Sequence, residues 1–312
     1  MTKIVILTPV DRYLGFSASV SPVDQFSSAA QKISKNLEIV FVDPQKSHVV
    51  IDAKNVHLMD SDGKIVNGDV YFAFGHDLLD RNMTKYIIRA LEVSGKKVIN
   101  GYEALTILDD KALMAIELSQ SNLPVAKSVI ASARPNSNAI IKFIGGDKII
   151  AKTSGFSAGG VGVYPVIPNI DYLAPILWST RMDCRPKILQ NDLYQTKNSS
   201  RSVIRAYIVG GKIVGCYTTD GYEIVNCAGL ARESKAKIYT PTKKQAQILM
   251  DSAKLVKSTG YCRIDAVGEK EHFSIIEINP LARIDAESHG LDIPRAVLEY
   301  AIELNERRSD EI

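Results

Sequence analysis

Short apolar runs and amphipathic stretches alternate along the first hundred residues of the chain. Ile4-Val5-Ile6-Leu7 is an apolar run of strand length; Leu37 to Val42 and Val70 to Phe74 are two more. After the first run, Ser21-Pro22-Val23-Asp24 predicts a helix start, with Ser21 as cap and Pro22 in the first helical position. Tyr86, Ile87, Ala90 and Leu91 mark a second helix that stops at Gly95. Strands and helices in alternation predict βαβ units around a parallel sheet over residues 1–100.

From Asn100 to about Ser121 the spacing predicts two short helices, the second capped by Asp109 with Lys111 in its first turn. The texture then changes. IIKFIGGDKIIAK reads as two β-rich runs around Gly145-Gly146-Asp147, a hairpin that puts Lys152 near the end of an antiparallel strand. VIRAYIVGGKIVGCYTT reads as another hairpin, around Gly210-Gly211. Thr242-Lys243-Lys244-Gln245 is a capping box that opens a helix with Ala246, Leu249, Met250, Ala253 and Val256 on one face, ended by Gly260. Two strands, around Arg263 to Val267 and Phe273 to Ile278, precede a final helix and a charged tail.

Composition narrows the class. A chain of 312 residues, 46% hydrophobic and 23% charged, can bury a real core and is long enough for two or three packed units. A net charge of +3 without a long basic run argues against a nucleic-acid partner. The opening apolar run is too short for a signal segment and no later run approaches a membrane span, so a soluble cytoplasmic protein without a membrane partner is expected. Cys184, Cys216, Cys227 and Cys262 are scattered without a CxxC pair, which predicts buried free thiols rather than disulfides or zinc.

Two segments carry chemistry. In AKTSGFSAGGVGVYP, residues 151–165, Lys152 stands three residues before a stretch holding Gly155, Gly159, Gly160 and Gly162. The loop has neither a Walker ending nor a dinucleotide fingerprint. Glycines between antiparallel strands let backbone amides approach an anion, and a lysine on the entering strand adds a point charge. By itself the loop fits a structural turn as well as a phosphate site. In RIDAVGEKEHFSIIEINP, Asp265 lies on one strand while Glu277 and Asn279, two apart, share a face of the next. Two carboxylates and an amide oxygen are hard ligands suited to a magnesium ion shared with phosphates. Polar residues on a half-exposed hairpin are the plainer alternative, least convincing for Glu-Ile-Asn on an otherwise apolar strand.

In order along the chain come Lys111 after a capping aspartate, Lys152 before the glycine loop, Leu189-Gln190-Asn191-Asp192, Arg205 in VIRAYIVGGKIVG, Asn226, and Asp265 with Glu277-Ile278-Asn279. Together they resemble the ATP-grasp superfamily, and are most similar to the branch of ribosomal-protein glutamate ligases, lysine-biosynthesis carrier-protein ligases and coenzyme glutamate ligases. The resemblance implies an ATP-grasp fold, α/β and α+β, behind an N-terminal Rossmann-like parallel-sheet domain. Its divisions are residues 1–100, residues 101–186 with the glycine loop, and residues 187–312 with the metal site. It implies ATP held with Mg2+, for which Mn2+ would substitute. Lys111, Lys152, Ser157, Gly159, Gly160 and Gly162 would hold phosphates, and Gln190, Asn191, Asp192 and Leu193 would take the adenosine. Arg205 would steady the transferring phosphoryl group, and Asp265, Glu277 and Asn279 would bind the metal. The implied activity is an ADP-forming carboxylate–amine ligation through an acylphosphate, joining an amino acid to a small-molecule or peptide carboxylate.

The chain departs from that branch where substrates are chosen. Members often carry Asp-Ile-Arg and two arginines on the following strand, whereas this chain has Val203-Ile204-Arg205 and Tyr217-Thr218-Thr219, which leaves the added amino acid open. Asn226, Arg283 and His76 are candidate substrate contacts, as are Phe74 and the polar loop near Ser17 and Ser19. Arg283 fits a substrate carboxylate or a salt bridge to Asp285 or Glu287 equally. A small-molecule kinase and a nucleotide-binding regulator without turnover are the competing functions; a homodimer or homotetramer is an open alternative to a monomer.

Overall fold

In a computed structural model the protein is described over residues 1–9, 21–33, 36–52, 55–75, 81–132, 136–146, 148–155, 163–178, 186–193, 203–219, 236–268, 273–282 and 290–307. The apolar runs of the first hundred residues become β1 (Thr2–Leu7), β2 (Leu37–Val42) and β5 (Val70–Ala73), joined by β6 (Lys97–Ile99) in a parallel sheet of order β2-β1-β5-β6. Both faces are covered, which is why the runs are continuously apolar. Ile4, Ile6, Val70 and Phe72 enter one core, and Val5, Leu7, Tyr71 and Ala73 enter another. Helix α1 (Pro22–Ile33) packs in the first, and α2 (Arg81–Val93) in the second beside an antiparallel pair, β3 (His48–Ile51) and β4 (Val56–Met59). Ser21 caps α1 as expected, its hydroxyl accepting from Val23 N at 3.2 Å.

The two short helices are α3 (Tyr102–Asp109) and α4 (Lys111–Ser119). The cap of α4 is Asp110, not Asp109: its Oδ1 accepts from the amides of Ala112 and Leu113. Asp109 instead takes ion pairs from Arg81 and Lys85 at 3.2 and 2.8 Å, holding α3 to α2. Beyond them, β7 (Ser128–Ala131), β8 (Ile149–Thr153), β9 (Val163–Val166) and β10 (Lys187–Asn191) form an antiparallel sheet of order β7-β10-β8-β9. The first half of the expected hairpin around Gly145 is a helix, α5 (Ser137–Ile144). Ile140 and Ile144, four apart, are buried with Ile149, Ala151 and Leu189. That helical spacing outweighs the β-branched content, and Asn136 supplies the cap. Gly145, at φ 69°, ends the helix by donating to Ile141 O. Helix α6 (Ile170–Trp178) packs on the same face. Because β10 lies between β7 and β8, this sheet extends past residue 186, where a boundary was expected.

The third sheet has order β13-β12-β11-β14-β15 and is antiparallel: β11 (Val203–Val209), β12 (Lys212–Thr219), β13 (Ala236–Ile238), β14 (Tyr261–Val267) and β15 (Ser274–Asn279). Gly210 and Gly211, at φ 55° and 72°, make the two-residue turn of the expected hairpin. One face of the sheet, with Ile204, Ala206, Ile208, Cys216, Ile264 and Ile278, packs on α3, α4 and α7 (Lys243–Leu255). Thr242 and Gln245 form the capping box of α7 as expected. The helix ends at Leu255 rather than at Gly260, with Lys257 in the left-handed region at φ 56°. Gly260 serves a different need. A Cβ there would lie 3.1 Å from Ile99 Cγ2 and 3.2 Å from Asn100 N.

At that contact the parallel sheet meets the third sheet. Asn100, buried and at φ 57°, accepts from Tyr261 N at 3.1 Å and donates to the carbonyls of Tyr261 and Pro280. Around it Phe26, Phe72, Phe74 and Tyr261 pack edge to face or tilted, and α8 (Ile293–Glu306) closes the core shared by the two sheets. Phe74 is thus a core residue, only 1% exposed, and not the acceptor contact expected of it. Cys216 and Cys262 are buried free thiols as expected, while Cys184 and Cys227 lie outside the described residues. Among the described residues no helix is long and apolar enough to cross a membrane. Asn100→Ala removes several buried hydrogen bonds and a residue tolerant of positive φ, and is predicted to lower the unfolding free energy by about 2–4 kcal/mol in urea titrations.

Candidate active site

Register across the third sheet sets the site. Tyr217 on β12 faces Arg205 on β11, Arg205 faces Asp265 on β14, and Asp265 faces Glu277 on β15. Directly opposed residues point to the same side, so these four side chains form one row. The next row on that side holds Tyr207, Arg263 and Asn279. Period two sends the residues between them, Ile204, Ala206, Ile264 and Ile278, to the opposite core. One sheet therefore has a dry face and a charged one.

Contacts tie the row together. Arg263 binds both oxygens of Asp265, Nε to Oδ1 at 2.9 Å and Nη2 to Oδ2 at 3.3 Å. Arg205 Nε lies 3.9 Å from Asp265 Oδ2, and its Nη1 donates to Tyr217 OH at 3.4 Å. Tyr217 is itself stacked on Tyr207 with ring centroids 6.3 Å apart. Lys111 Nζ, from the first turn of α4, reaches Glu277 Oε1 at 3.1 Å. The same turn is fastened to the end of β8, where Lys111 N donates to Ser154 O at 2.6 Å. On β8 Lys152 faces Ile188 of β10, and Gln190 two residues on shares that side, opposite the helix-covered face. Gln190 Nε2 donates to Ser128 Oγ at 2.9 Å.

The electrostatics follow from these neighbours. Burial and the like charge of Lys111 push the Lys152 ammonium down to about 8, against the raising effect of Glu277. Burial would raise the Glu277 carboxyl, but Lys111 and Lys152 outweigh it and hold its pKa below the ordinary value. Burial and the charge of Arg263 oppose the charged form of Arg205, yet Asp265 and Tyr217 prevail and raise its pKa. Arg263 is raised well above its ordinary value, Asp265 overcoming burial.

Of the residues singled out in the sequence, Arg205, Asp265, Glu277, Asn279 and Lys111 converge, with Lys152 near enough to act on Glu277. Gln190, Asn191, Asp192 and Leu193 run off the end of β10. Amides of Asn191 and Asp192 are already bonded, to Lys127 O at 3.1 Å and Lys148 O at 3.3 Å, while Asn191 Oδ1 is buried without a hydrogen-bond partner. Ser157, Gly159, Gly160, Gly162, Asn226, Arg283, His76, Ser17 and Ser19 lie outside the described residues. Sequence reasoning missed Arg263, Tyr217 and Thr219 as members of the charged face. Period two from Asp265 was the signal for Arg263, whereas Tyr217 and Thr219 follow from Arg205 only through the register across the Gly210-Gly211 turn, which an irregularity at Tyr207/Ile208 shifts. The Thr219 hydroxyl, 3% exposed and two residues from Tyr217 on the same side, has no hydrogen-bond partner.

Residues 108–300 match the model of the RimK-like ATP-grasp domain, and the chain belongs to that family. Among curated proteins, a probable alpha-L-glutamate ligase of Teredinibacter turnerae is 22% identical over 71% of this chain and 72% of its own length. One of Psychromonas ingrahamii is 24% identical over 69% and 70%. In structure the chain is similar to the ATP-grasp ligase PsnB complexed with minimal precursor, at TM-score 0.69 and 15% identity over 98% and 99% of the two chains. It is also similar to the macrocyclase MdnC bound with precursor peptide MdnA from Microcystis aeruginosa, at 0.67 and 15% over 97% and 100%. The D-alanine–D-alanine ligase of Bacillus anthracis gives 0.65 and 14% over 98% and 99%. The protein is thus an enzyme, an ATP-dependent carboxylate–amine ligase that works with ATP and Mg2+.

The residues present fit such a nucleotide and metal. Among the described residues no three His, Cys, Asp or Glu side chains gather into a self-sufficient metal site. Asp265, Glu277 and Asn279 offer hard oxygen atoms on one face, a set suited to a magnesium ion whose remaining ligands are phosphates and water. Lys152 is predicted to titrate at about 8 in NMR spectra of labelled lysines. In Glu277→Gln, which removes the charge that supports its protonated form, its pKa falls further. An unshifted Lys152 in that variant contradicts the electrostatic coupling of the two groups.

Proposed function

We propose that the protein joins a carboxylate to an amine through an acylphosphate formed at the Arg205 row. The observation that carries this reading is the register row Tyr217–Arg205–Asp265–Glu277, with Lys111 and Lys152 gathered on its last member. A carboxylate at neutral pH resists attack by an amine and has to be activated. One carboxylate oxygen takes the γ-phosphoryl group of ATP and ADP leaves; the amine nitrogen then attacks the carbonyl carbon, phosphate departs, and the amine gives up a proton. Mg2+ held by Asp265, Glu277 and Asn279 would supply charge neutralisation at the phosphate oxygens.

The chain's own side chains provide the rest. Arg205, held by Asp265 and Tyr217, presents a guanidinium of fixed orientation and permanent charge to the transferring phosphoryl group. Lys111 and Lys152 exchange Glu277 for phosphate oxygens. Gln190 through Leu193 form the adenosine end, where the buried Asn191 Oδ1 has an acceptor to offer. Thr219, with its unsatisfied hydroxyl two residues from Tyr217 on the same side of β12, contacts the acceptor. The substrates are an amino acid and a small-molecule or peptide carboxylate, met in the cytoplasm where ATP is supplied.

Phosphate release from ATP across pooled carboxylates, with and without amines, tests the reading. Release only with both present is expected; a stable phosphorylated product means a kinase, and silence with retained ADP binding means a regulator. Arg205→Met is predicted to leave ADP binding intact and to lower turnover by about a hundredfold or more. Thr219→Val keeps the shape and removes the hydroxyl. It is predicted to raise KM for one substrate severalfold with little change in kcat, and an unchanged KM for every substrate removes Thr219 from the acceptor site.

A further inference from the structure

In the free protein the oxygen atoms suited to a metal are already engaged. Lys111 Nζ sits 3.1 Å from Glu277 Oε1, and Arg263 covers both oxygens of Asp265 at 2.9 and 3.3 Å. Asn279 Oδ1 accepts from Leu281 N at 3.0 Å. Among the described residues six charged side chains gather here, Lys111, Lys152, Arg205, Arg263, Asp265 and Glu277, and four of them are cations. A divalent cation arriving alone has to displace resident positive charges at contact distance and remain among them. A polyphosphate meets the opposite field, attracted to every one of the four.

We propose that Lys111 and Arg263 keep the metal carboxylates closed until a polyphosphate binds, so that nucleotide and divalent metal bind interdependently; this rests on the nucleotide reading above. Phosphate oxygens draw Lys111 and Lys152 away from Glu277, and the carboxylate oxygen they release becomes a metal ligand. Binding of each ligand then strengthens the other by the same factor, since coupling between two sites is reciprocal. Lys111 has the larger share of this effect. Its ammonium is in direct contact with Glu277, and its long flexible stem can carry the ammonium from carboxylate to phosphate.

The test is a titration of Mn2+, followed by its free-ion electron paramagnetic resonance signal, into the protein alone and into the protein saturated with ADP, corrected for Mn2+ bound by ADP in solution. Mn2+ is expected to bind at least about fivefold more tightly to the ADP-loaded protein, with ADP affinity raised equally by Mn2+. In Lys111→Met, which lacks the competing ammonium, Mn2+ affinity of the nucleotide-free protein rises and the coupling shrinks. Equal Mn2+ affinity with and without ADP overturns the proposal while leaving the nucleotide site standing. So does a Lys111→Met protein that binds Mn2+ no better than the parent. Failure of ADP to bind under either condition overturns the nucleotide reading itself, and the coupling with it.

Discussion

Everything at the candidate site depends on how charge is accommodated on one face of a buried sheet. Arg205, Asp265 and Lys111 are each less than a tenth exposed, and leaving such a charge without its counter-ion costs about 3–5 kcal/mol. The fold meets the constraint by giving each carboxylate its own cations: Arg205 and Arg263 lie against Asp265, and Lys111 from α4 lies against Glu277. Each group is then held in place by the charge it neutralises. Orientation at the site follows from the same contacts that make burial tolerable, and a phosphoryl group entering the row meets charges that need little rearrangement.

The rest of the architecture serves that face. Its reverse side is sealed by α3, α4 and α7, so the strands cannot slip without exposing Ile204, Ile264 and Ile278. Its far edge merges with the aromatic core around Tyr261, Phe72 and Phe74, and Asn100 fastens the parallel sheet to the start of β14. Lys97 adds a second tie. Its Nζ donates to the carbonyls of Leu304 and Asn305 in the last turn of α8 and of Arg307 just beyond it, at 2.7–2.9 Å, where a positive charge also suits the helix terminus. Lys111 bridges the remaining gap, with its backbone on the end of β8 and its side chain on β15.

Much of this was legible in the sequence because period and punctuation are local signals. The apolar runs around Ile4, Leu37 and Val70, the Gly210-Gly211 turn and the Thr242 capping box all follow from neighbours within a few residues. Failures came where tertiary contacts decide. Ser137 to Ile144 has a strand's composition, but burial of Ile140 and Ile144 against β8 and β10 makes it a helix. Asp109 and Asp110 are equivalent as caps on paper, and only the positions of Arg81 and Lys85 draw Asp109 away. Phe74 looked available for a ligand until three other rings closed on it. At the site, the two-residue spacing of Glu277 and Asn279 was readable. The pairing of Asp265 with Arg263 required the sheet.

The most direct measurement is a crystal structure of the protein with a nonhydrolysable ATP analogue and Mg2+. The account predicts phosphates lying between Lys152 and Arg205, with the Lys111 ammonium moved from Glu277 to a phosphate oxygen and the metal on the freed carboxylate. Phosphates bound away from the Arg205 row, with Lys111 still on Glu277, would contradict it.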